Sequence, residues 1–107
     1  MTLDEIRQGE NENVECEADI PSDKEKFLKT VVAFANASGG RIIFGIEDRT
    51  WNVIGFSQED AAAKADLIAN SIYDSCTPRI KPKIRLENIN DRKIIIATIV
   101  NSYTLIL

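Results

Sequence analysis

Apolar residues change their spacing on either side of two glycines, Gly39 and Gly40. Upstream of the pair they recur at intervals of three and four residues, which is the period of a helix, and downstream they alternate, which is the period of a strand. A glycine just past a helix adopts the left-handed backbone conformation without a steric penalty from Cβ. The pattern therefore predicts a helix over 23–37 and a strand over 41–47, with the glycines as the turn between them.

The end of this helix also carries a polar residue, Asn36, whose side chain can reach free backbone groups in the last turn. The glycine pair itself has the composition of a phosphate-binding loop. Such a loop leads from a strand into a helix, so that its amides lie at a helix N-terminus. Here the order is reversed, and the negative end of the helix dipole meets the glycines. We therefore expect a helix stop and no ATP site.

Polar residues mark the starts of two helices. Ser22 is followed three residues later by Glu25, which is the spacing of a capping box, and Ser57 is followed by Asp60 at the same spacing. After Ser57 comes an alanine-rich run over 61–76, with its apolar residues on one helical stripe. We therefore predict a second helix that begins after this serine.

Four further segments have the pattern of strands. Alternation is clear over 13–19 and 79–89, a shorter segment over 51–56 follows a turn and forms a hairpin, and 93–100 is apolar on both faces. A proline within 79–89 predicts that this strand lies at a sheet edge or that the proline is near its start. The predicted order is β-α-β-β-α-β-β, an α+β fold with two helices packed on a mixed sheet.

The composition indicates one ordinary domain. The 107 residues are 44% hydrophobic and 28% charged, as in globular proteins, and no apolar run reaches the ~20 residues of a membrane helix. Cys16 and Cys76 stand far apart in a chain without histidine, which excludes catalysis by a Cys/His pair. We interpret both as reduced thiols of a cytoplasmic protein. The apolar end over 101–107 fits either a strand that pairs or a domain cut from a longer protein.

Charge is unevenly distributed along the chain. The net charge is −4, but residues 1–25 hold nine acids and two bases, which leaves the rest of the chain with three more bases than acids. Arg79, Lys81, Lys83 and Arg85 alternate along one predicted strand, so together they can neutralise several phosphates of a nucleic acid. The alternative is a charged outer face that protects an edge strand from aggregation. No aromatic residue interleaves the row, so stacking on single-stranded bases is not indicated.

Four motifs resemble the Schlafen AlbA-like domain family. They are a Glu-rich first strand, a helix ending in Ala-Phe-Ala-Asn-x-x-Gly-Gly, a strand ending in Gly-Ile-x-Asp, and a Val-x-Gly hairpin, found here at 9–17, 33–40, 44–48 and 53–55. The resemblance covers most of the chain. It implies an Alba-like fold and a nucleic-acid-binding domain, with DNA as the usual ligand. Prokaryotic members often open longer proteins that are described as transcriptional regulators.

The resemblance also implies candidate site residues. In animal members, carboxylates of the first strand and of the Gly-x-x-Asp segment form a metal-dependent RNA-cleaving site, and the matching catalytic and metal-binding candidates here are Glu10, Glu15 and Asp48. Three such carboxylates can bind Mg²⁺ or Mn²⁺ and activate water. The alternative is that they are solvated acids on an exposed strand face. The family's Glu-Phe-Lys reads Glu15-Cys16-Glu17 here, so an acid replaces a lysine that would hold phosphate.

We therefore expect a DNA- or RNA-binding module of a transcriptional-regulator-type protein, without a cofactor. One alternative is a metal-dependent ribonuclease, which we expect to be inefficient because Glu17 repels the substrate and the nearest bases, Arg7 and Lys24, lie outside the first strand. Another alternative is a protein-interaction or dimerisation domain without nucleic acid, which the net negative charge favours. A homodimer is expected through the strand over 94–100, since an apolar edge strand pairs readily with a second copy.

Overall fold

Two helices lie against a four-stranded mixed sheet in the computed structural model, which describes residues 13–76 and 79–101. The elements are β1 (Asn13–Glu17), α1 (Lys24–Ala35), β2 (Gly40–Phe44), α2 (Gln58–Ser75), β3 (Lys83–Ile89) and β4 (Arg92–Ile99). The strand order is β1-β2-β4-β3; β1 is parallel to β2, and the other two pairs are antiparallel. The predicted α+β class is confirmed. None of the described helices is long and apolar enough to cross a membrane.

β4 lies inside the sheet, between β2 and β3, and both of its faces are buried. Its residues alternate between two core clusters, with Ile95, Ala97 and Ile99 in one and Ile94 and Ile96 in the other. The edge strands are β1 and β3, so the expectation that 94–100 forms an edge is wrong: this strand is apolar on both faces because it is covered on both. This argument therefore no longer supports a homodimer, which stays a prediction. The apolar end after residue 101 lies outside the described residues.

The two faces of the sheet are covered by different elements. α1 and α2 cover one face, and their contributions to its core are Phe27, Val31, Ala35, Ala61, Ile68 and Ile72. The other face, which we call the loop face, carries Cys16, Ile43 and Ile96 at its centre. Trp51 and Val53, from the loop between β2 and α2, pack against that centre. The centre of the sheet is therefore buried on both sides within a small domain.

This loop takes the place of the strand predicted over 51–56. It makes two isolated bridges, which join Ile46 to Val53 and Phe56 to Lys93. Arg49 and Trp51 adopt left-handed backbone conformations, with φ of 72° and 60°. Such residues cannot continue an extended ladder, so the hairpin is reduced to single bridges at its two ends.

Arg92, the first residue of β4, fastens the loop to the sheet. Its Nε donates to the Ile54 carbonyl at 3.2 Å and its Nη2 donates to the Gly55 carbonyl at 3.1 Å. Gly55 has φ of 66°, and a Cβ at this position would lie 2.4 Å from Cβ of Arg92. Only glycine allows such a close approach with this backbone conformation. The glycine of the Val-x-Gly motif is therefore required for packing the loop against β4.

Side chains cap the N-termini of both helices. The N-cap of α1 is Asp23, one residue after the predicted Ser22, and its carboxylate accepts from the Glu25 amide at 3.1 Å. Ser57 caps α2 as predicted, because its hydroxyl oxygen accepts from the Asp60 amide at 3.2 Å. Each cap satisfies one backbone donor that the first helical turn leaves without a partner.

The C-terminal end of α1 is closed by its own backbone and by a side chain from the far end of the chain. The Gly39 amide donates to the Phe34 carbonyl at 2.9 Å, and Gly39 has φ of 87°, which confirms the predicted helix stop. Nδ2 of Asn101 donates to the carbonyls of Ala35, at 3.3 Å, and Ala37. The start of β2 is thereby held beside the end of β4, with which it pairs.

Asn101, rather than the predicted Asn36, supplies these side-chain hydrogen bonds, so the two residues form a matched pair for mutation. Asn101→Ala leaves two carbonyls without this donor and should lower the free energy of unfolding by about 1–2 kcal/mol. Asn36→Ala changes an exposed residue and should lower it by less than about 0.5 kcal/mol. Urea denaturation of both variants measures the difference. An equal or larger loss in Asn36→Ala would contradict the assignment.

Candidate functional site

Two of the three predicted carboxylates lie near each other. Glu15 is the central residue of β1, and Asp48 follows the neighbouring parallel strand β2 by a few residues. The pKa of Glu15 is raised, first by burial and then by the negative charges of Asp48 and Glu17. Glu10, the third predicted carboxylate, lies outside the described residues. We call Glu15, Glu17 and Asp48 the acidic end of the sheet.

The negative charge of Glu17 is partly compensated by a nearby lysine. Its side chain is only 12% exposed, and its Oε1 lies 3.7 Å from Nζ of Lys26, on the first turn of α1. Lys26 also opposes the rise in the pKa of Glu15, as the smallest of the contributions to it. A positive charge therefore does lie beside these carboxylates. The expectation that the nearest bases lie too far away overlooked Lys26, because helix packing, and not sequence distance, brings it to β1.

Cys16 lies between the two glutamates in sequence but has no nucleophilic character. Burial raises the pKa of its thiol to about 11, and the charges of Asp48, Glu15 and Glu17 add to the effect. Burial also raises the pKa of Cys76. Both cysteines are free and buried, and a thiol with a raised pKa stays protonated at neutral pH. Thiol catalysis is therefore excluded at both positions.

The acidic end offers an incomplete ligand set for a metal ion. Carboxylate oxygens are the ligands that Mg²⁺ and Mn²⁺ prefer. Burial is the main cause of the raised pKa of Glu15, and the negative charges of Asp48 and Glu17 add a repulsion that a cation would relieve. Over the ranges 13–76 and 79–101, however, no group of three or more potential ligands comes close enough to hold an ion. The described residues thus do not form a complete metal site, and no chemical step through a metal follows from them.

The predicted basic row is only partly a row. β3 begins at Lys83, and Lys83 and Arg85 are exposed on the loop face, while Ile84 and Leu86 pack against the opposite core. Lys81 is exposed just before the strand. Nε of Arg85 lies 3.4 Å from Oε1 of a neighbouring acid, Glu87.

Arg79 does not belong to this row, because its side chain contacts the C-terminal end of α2 instead. Its Nη1 donates to the Tyr73 carbonyl at 3.0 Å and lies 3.6 Å from Oδ1 of Asp74. Its guanidinium also stacks 4.6 Å above the ring centroid of Tyr73. A positive charge at a helix C-terminus is stabilising, so Arg79 has a structural role that the sequence pattern did not indicate.

Strand pairing places Arg41 and Thr98 beside the bases of β3, and the sequence analysis had named neither residue. Thr98 of β4 is the register partner of Arg41 on β2 and of Lys83 on β3, and paired residues project from the same face of a sheet. Arg41, Thr98 and Lys83 therefore form a line across three strands, with Arg85 beside it. We call these four residues the basic face. The place of Arg41 at the start of a predicted strand was visible in the sequence, but its place beside Lys83 depends on the sheet order.

The β1 acids and the basic face lie on opposite sides of the sheet. The register partners of Glu15 and Glu17 on β2 belong to the core under the helices, whereas the basic face lies on the loop face. Arg41 lies near the start of β2 and Lys83 at the start of β3, and these two strands start at the same end because each is antiparallel to β4. We call this the basic end. An anionic ligand on the loop face is therefore attracted by these bases, with the sheet between it and the two β1 acids.

One protein family matches nearly the whole chain. The family described as Schlafen, AlbA_2 matches residues 10–105. The matched range contains the acidic end, the glycine turn and the basic face. No curated protein sequence matches the chain.

Two solved structures share its fold. The N-terminal domain of a RecG-related protein from Nitrosomonas europaea has a TM-score of 0.68 and 16% identity, over 95% of this chain and 72% of that one. The DIP2311 protein from Corynebacterium diphtheriae has a TM-score of 0.59 and 21% identity, over 85% of this chain and 18% of that one. This chain thus spans less than a fifth of the second protein. At such identities the likeness shows the fold alone.

The raised pKa of Glu15 predicts how stability depends on pH. A carboxyl whose pKa is higher in the folded chain than its usual 4.5 binds its proton more tightly there, so its ionisation destabilises the fold as the pH rises through this window. Glu15→Gln should therefore raise the melting temperature at pH 7, and the gain should shrink as the pH falls toward 4. Thermal unfolding between pH 4 and pH 8 measures this.

The matched control is Glu47→Gln, which removes an exposed carboxylate from the neighbouring loop. It should leave the melting temperature nearly unchanged across the same pH range. A lower melting temperature for Glu15→Gln at pH 7, or a gain that does not vary with pH, would contradict the pKa argument.

Proposed function

The chain belongs to the Schlafen AlbA_2 family, and from this membership we propose that it is a nucleic-acid-binding domain. The observation that carries the proposal is the basic face, on which Arg41, Lys83 and Arg85 lie on one side of the sheet around Thr98. Cations arranged in this way neutralise phosphates and release the counter-ions that surround a nucleic acid. The distribution of charge thus supports nucleic-acid binding in spite of the net charge of −4.

The ligand we propose is duplex DNA, bound through its phosphates. Lysine and arginine on a flat sheet contact the backbone and carry little sequence information, so the binding is expected to be independent of sequence. Single-stranded ligands need aromatic platforms on which bases stack. On the described part of the loop face, the aromatic residue is Trp51, which packs into the core. The duplex is therefore the better match.

The name of one fold relative agrees with DNA as the proposed ligand. The Nitrosomonas europaea protein is named as related to an ATP-dependent DNA helicase. From the family, we propose that the chain is the DNA-binding domain of a transcriptional-regulator-type protein in the cytoplasm. We propose that it acts without ATP because the turn at Gly39 follows the C-terminal end of α1, where the helix dipole repels anions. The homodimer stays a prediction, which light scattering at high micromolar concentration tests.

Charge reversal at the start of β3 tests the proposal. Lys81→Glu with Lys83→Glu should reduce affinity for a 20-base-pair duplex to below detection at moderate salt, because two attractive contacts become repulsive. Both residues are exposed, so the free energy of unfolding should change by only about 0.5 kcal/mol for each. Fluorescence anisotropy across a salt series measures the binding. The wild-type chain should lose affinity steeply as salt rises.

A matched control carries the same change in net charge on another surface. Lys24→Glu with Lys29→Glu reverses two exposed lysines of α1 and should leave most of the affinity in place. Binding that survives the β3 change, or is lost equally in the α1 control, would contradict the proposed surface. Lack of binding by the wild-type chain at low salt would favour the protein-interaction alternative.

A second candidate function is metal-dependent cleavage of RNA. The observation in its favour is the proximity of Glu15 and Asp48, together with the position of Lys26 beside Glu17. A ribonuclease needs carboxylates for the ion and a positive group for the phosphate. Lys26 could fill the second role, but Glu17 already pairs with it, and the described carboxylates number fewer than a complete site requires. We therefore expect weak binding of Mn²⁺ or Mg²⁺ and little turnover.

Incubation with labelled transfer RNA and Mn²⁺ tests this second candidate. We expect no cleavage above background, and the control is Glu15→Ala, which removes a carboxylate of the acidic end. If the wild-type chain cleaves the RNA and Glu15→Ala does not, the chain is a nuclease and the expectation is wrong. Cleavage that persists in Glu15→Ala indicates a contaminating enzyme.

A further inference from the structure

A cavity of about 300 Å³ lies at the basic end of the sheet, beside the basic face. It spans the end of β4, between the turn that follows α1 and the first residue of β3. Ser38 and Gly40 line it on the β2 side, and Lys83 and Thr98 line it on the β3 side. Ile99, Val100 and Asn101, at the end of β4, complete the lining. The cavity therefore shares Lys83 and Thr98 with the basic face.

The groups around the cavity suit an anion. Among the lining residues, Lys83 carries an ammonium group, and Ser38 and Thr98 carry hydroxyls that can donate hydrogen bonds. Among the described residues that line the cavity, none is acidic. Arg41 adds a further positive charge from the position next to Thr98. Glu15 and Glu17 lie on β1, at the opposite edge of the sheet from Lys83 on β3.

The C-terminal end of α1 repels an anion in the cavity less strongly than an uncapped helix end would. The last carbonyls of a helix carry the negative end of the dipole. Here the carbonyls of Ala35 and Ala37 accept hydrogen bonds from Nδ2 of Asn101. Carbonyls that are occupied in this way present less negative potential to a ligand. Asn101 thus screens the cavity from the helix end while it lines the cavity itself.

We propose that this cavity binds a phosphate group, with Lys83 as its counter-ion and the hydroxyls of Ser38 and Thr98 as donors. The inference rests on the proposed function in so far as the phosphate belongs to a nucleic acid. A phosphate in the cavity continues the backbone contacts of the basic face, because Lys83 and Thr98 belong to both. A volume of about 300 Å³ lies at the lower end of the range for ligand pockets, which suits a phosphate with its sugar.

Nuclear magnetic resonance of the ¹⁵N-labelled chain tests the cavity directly. Inorganic phosphate is titrated at constant ionic strength, with chloride as the reference anion. We expect the largest amide shifts at Ser38, Thr98 and Asn101. Thr98→Val keeps the shape of the side chain and removes its hydroxyl, and should weaken phosphate binding roughly tenfold, since a hydrogen bond to a charged group is lost. Ser38→Ala, at an exposed position, provides a second variant if the first does not fold.

A lysine pair provides the matched control. Lys83→Met should abolish the shifts around the cavity, whereas Lys29→Met, on the exposed surface of α1, should leave them unchanged. Shifts that spread over surface lysines in general, or that survive Thr98→Val and Ser38→Ala, overturn the proposal because they describe a diffuse ion atmosphere and not a site.

Binding experiments with duplex DNA identify the source of the phosphate that the cavity binds. Three probes are compared: inorganic phosphate, a duplex with 5′-hydroxyl ends, and the same duplex with 5′-phosphates. Weaker binding of both duplexes by Thr98→Val, with a salt slope lowered by about one in Lys83→Met, assigns the cavity to a backbone phosphate. An effect confined to the 5′-phosphorylated duplex assigns it to a terminal phosphate. Both results support the proposal.

The remaining outcomes separate this inference from the proposed function. If inorganic phosphate binds in the cavity and neither duplex binds, the cavity is upheld as a site for small phosphates and the proposed function fails. If the duplexes bind and the cavity variants bind them as the wild-type chain does, without phosphate shifts at Ser38 and Thr98, the cavity proposal fails and the proposed function stands.

Discussion

The burial of β4 on both faces is the constraint on which the rest of the fold depends. Ile94, Ile95 and Ile96 have no exposed surface, so this strand needs a partner along each edge and a cover over each face. β2 and β3 supply the partners, the helices supply one cover, and the loop after β2 contributes to the other. The edge positions are then left to β1 and β3. The buried positions of β2 and β4 are apolar, and the charged residues of these two strands, Arg41, Arg92 and Lys93, lie near the strand starts.

The local elements of this fold were readable from the sequence, and their long-range partners were not. Helical and alternating periods are properties of neighbouring residues, so α1, α2 and the four strands of the sheet could be predicted, along with the stop at Gly39. The strand predicted over 51–56 is a loop instead. The capping of α1 by Asn101 could not be predicted, because it joins residues that β2, α2, β3 and β4 separate in the chain. The placement of β4 as an edge failed for a related reason. An apolar strand looks the same in sequence whether a second molecule or its own chain covers it.

The residues of the candidate site also fall into those that the sequence could indicate and those that only the structure brought to light. Glu15, Asp48, Lys83 and Arg85 could be named from motif and alternation, since each lies in or directly after a predicted strand. Arg41 and Lys26 could not, and nor could the departure of Arg79 from its row, because these depend on which strand or helix lies alongside. Distance along the chain was a poor guide to the electrostatics of the acidic end. The nearest compensating charge came from the packing of α1 against the sheet.

The placement of the β1 acids and of the basic face on opposite sides of the sheet has a consequence for the encounter between this domain and a polyanion. Opposite charges on the two sides of a sheet respond in opposite directions to a strong external field, which therefore exerts a torque on the domain. A domain that approaches a duplex rotates before contact, so that the basic face leads. Salt weakens this rotation, because screening shortens the reach of the field to about 8 Å at physiological ionic strength. The arrangement of charge thus acts on the rate of productive collision, in addition to the strength of the final complex.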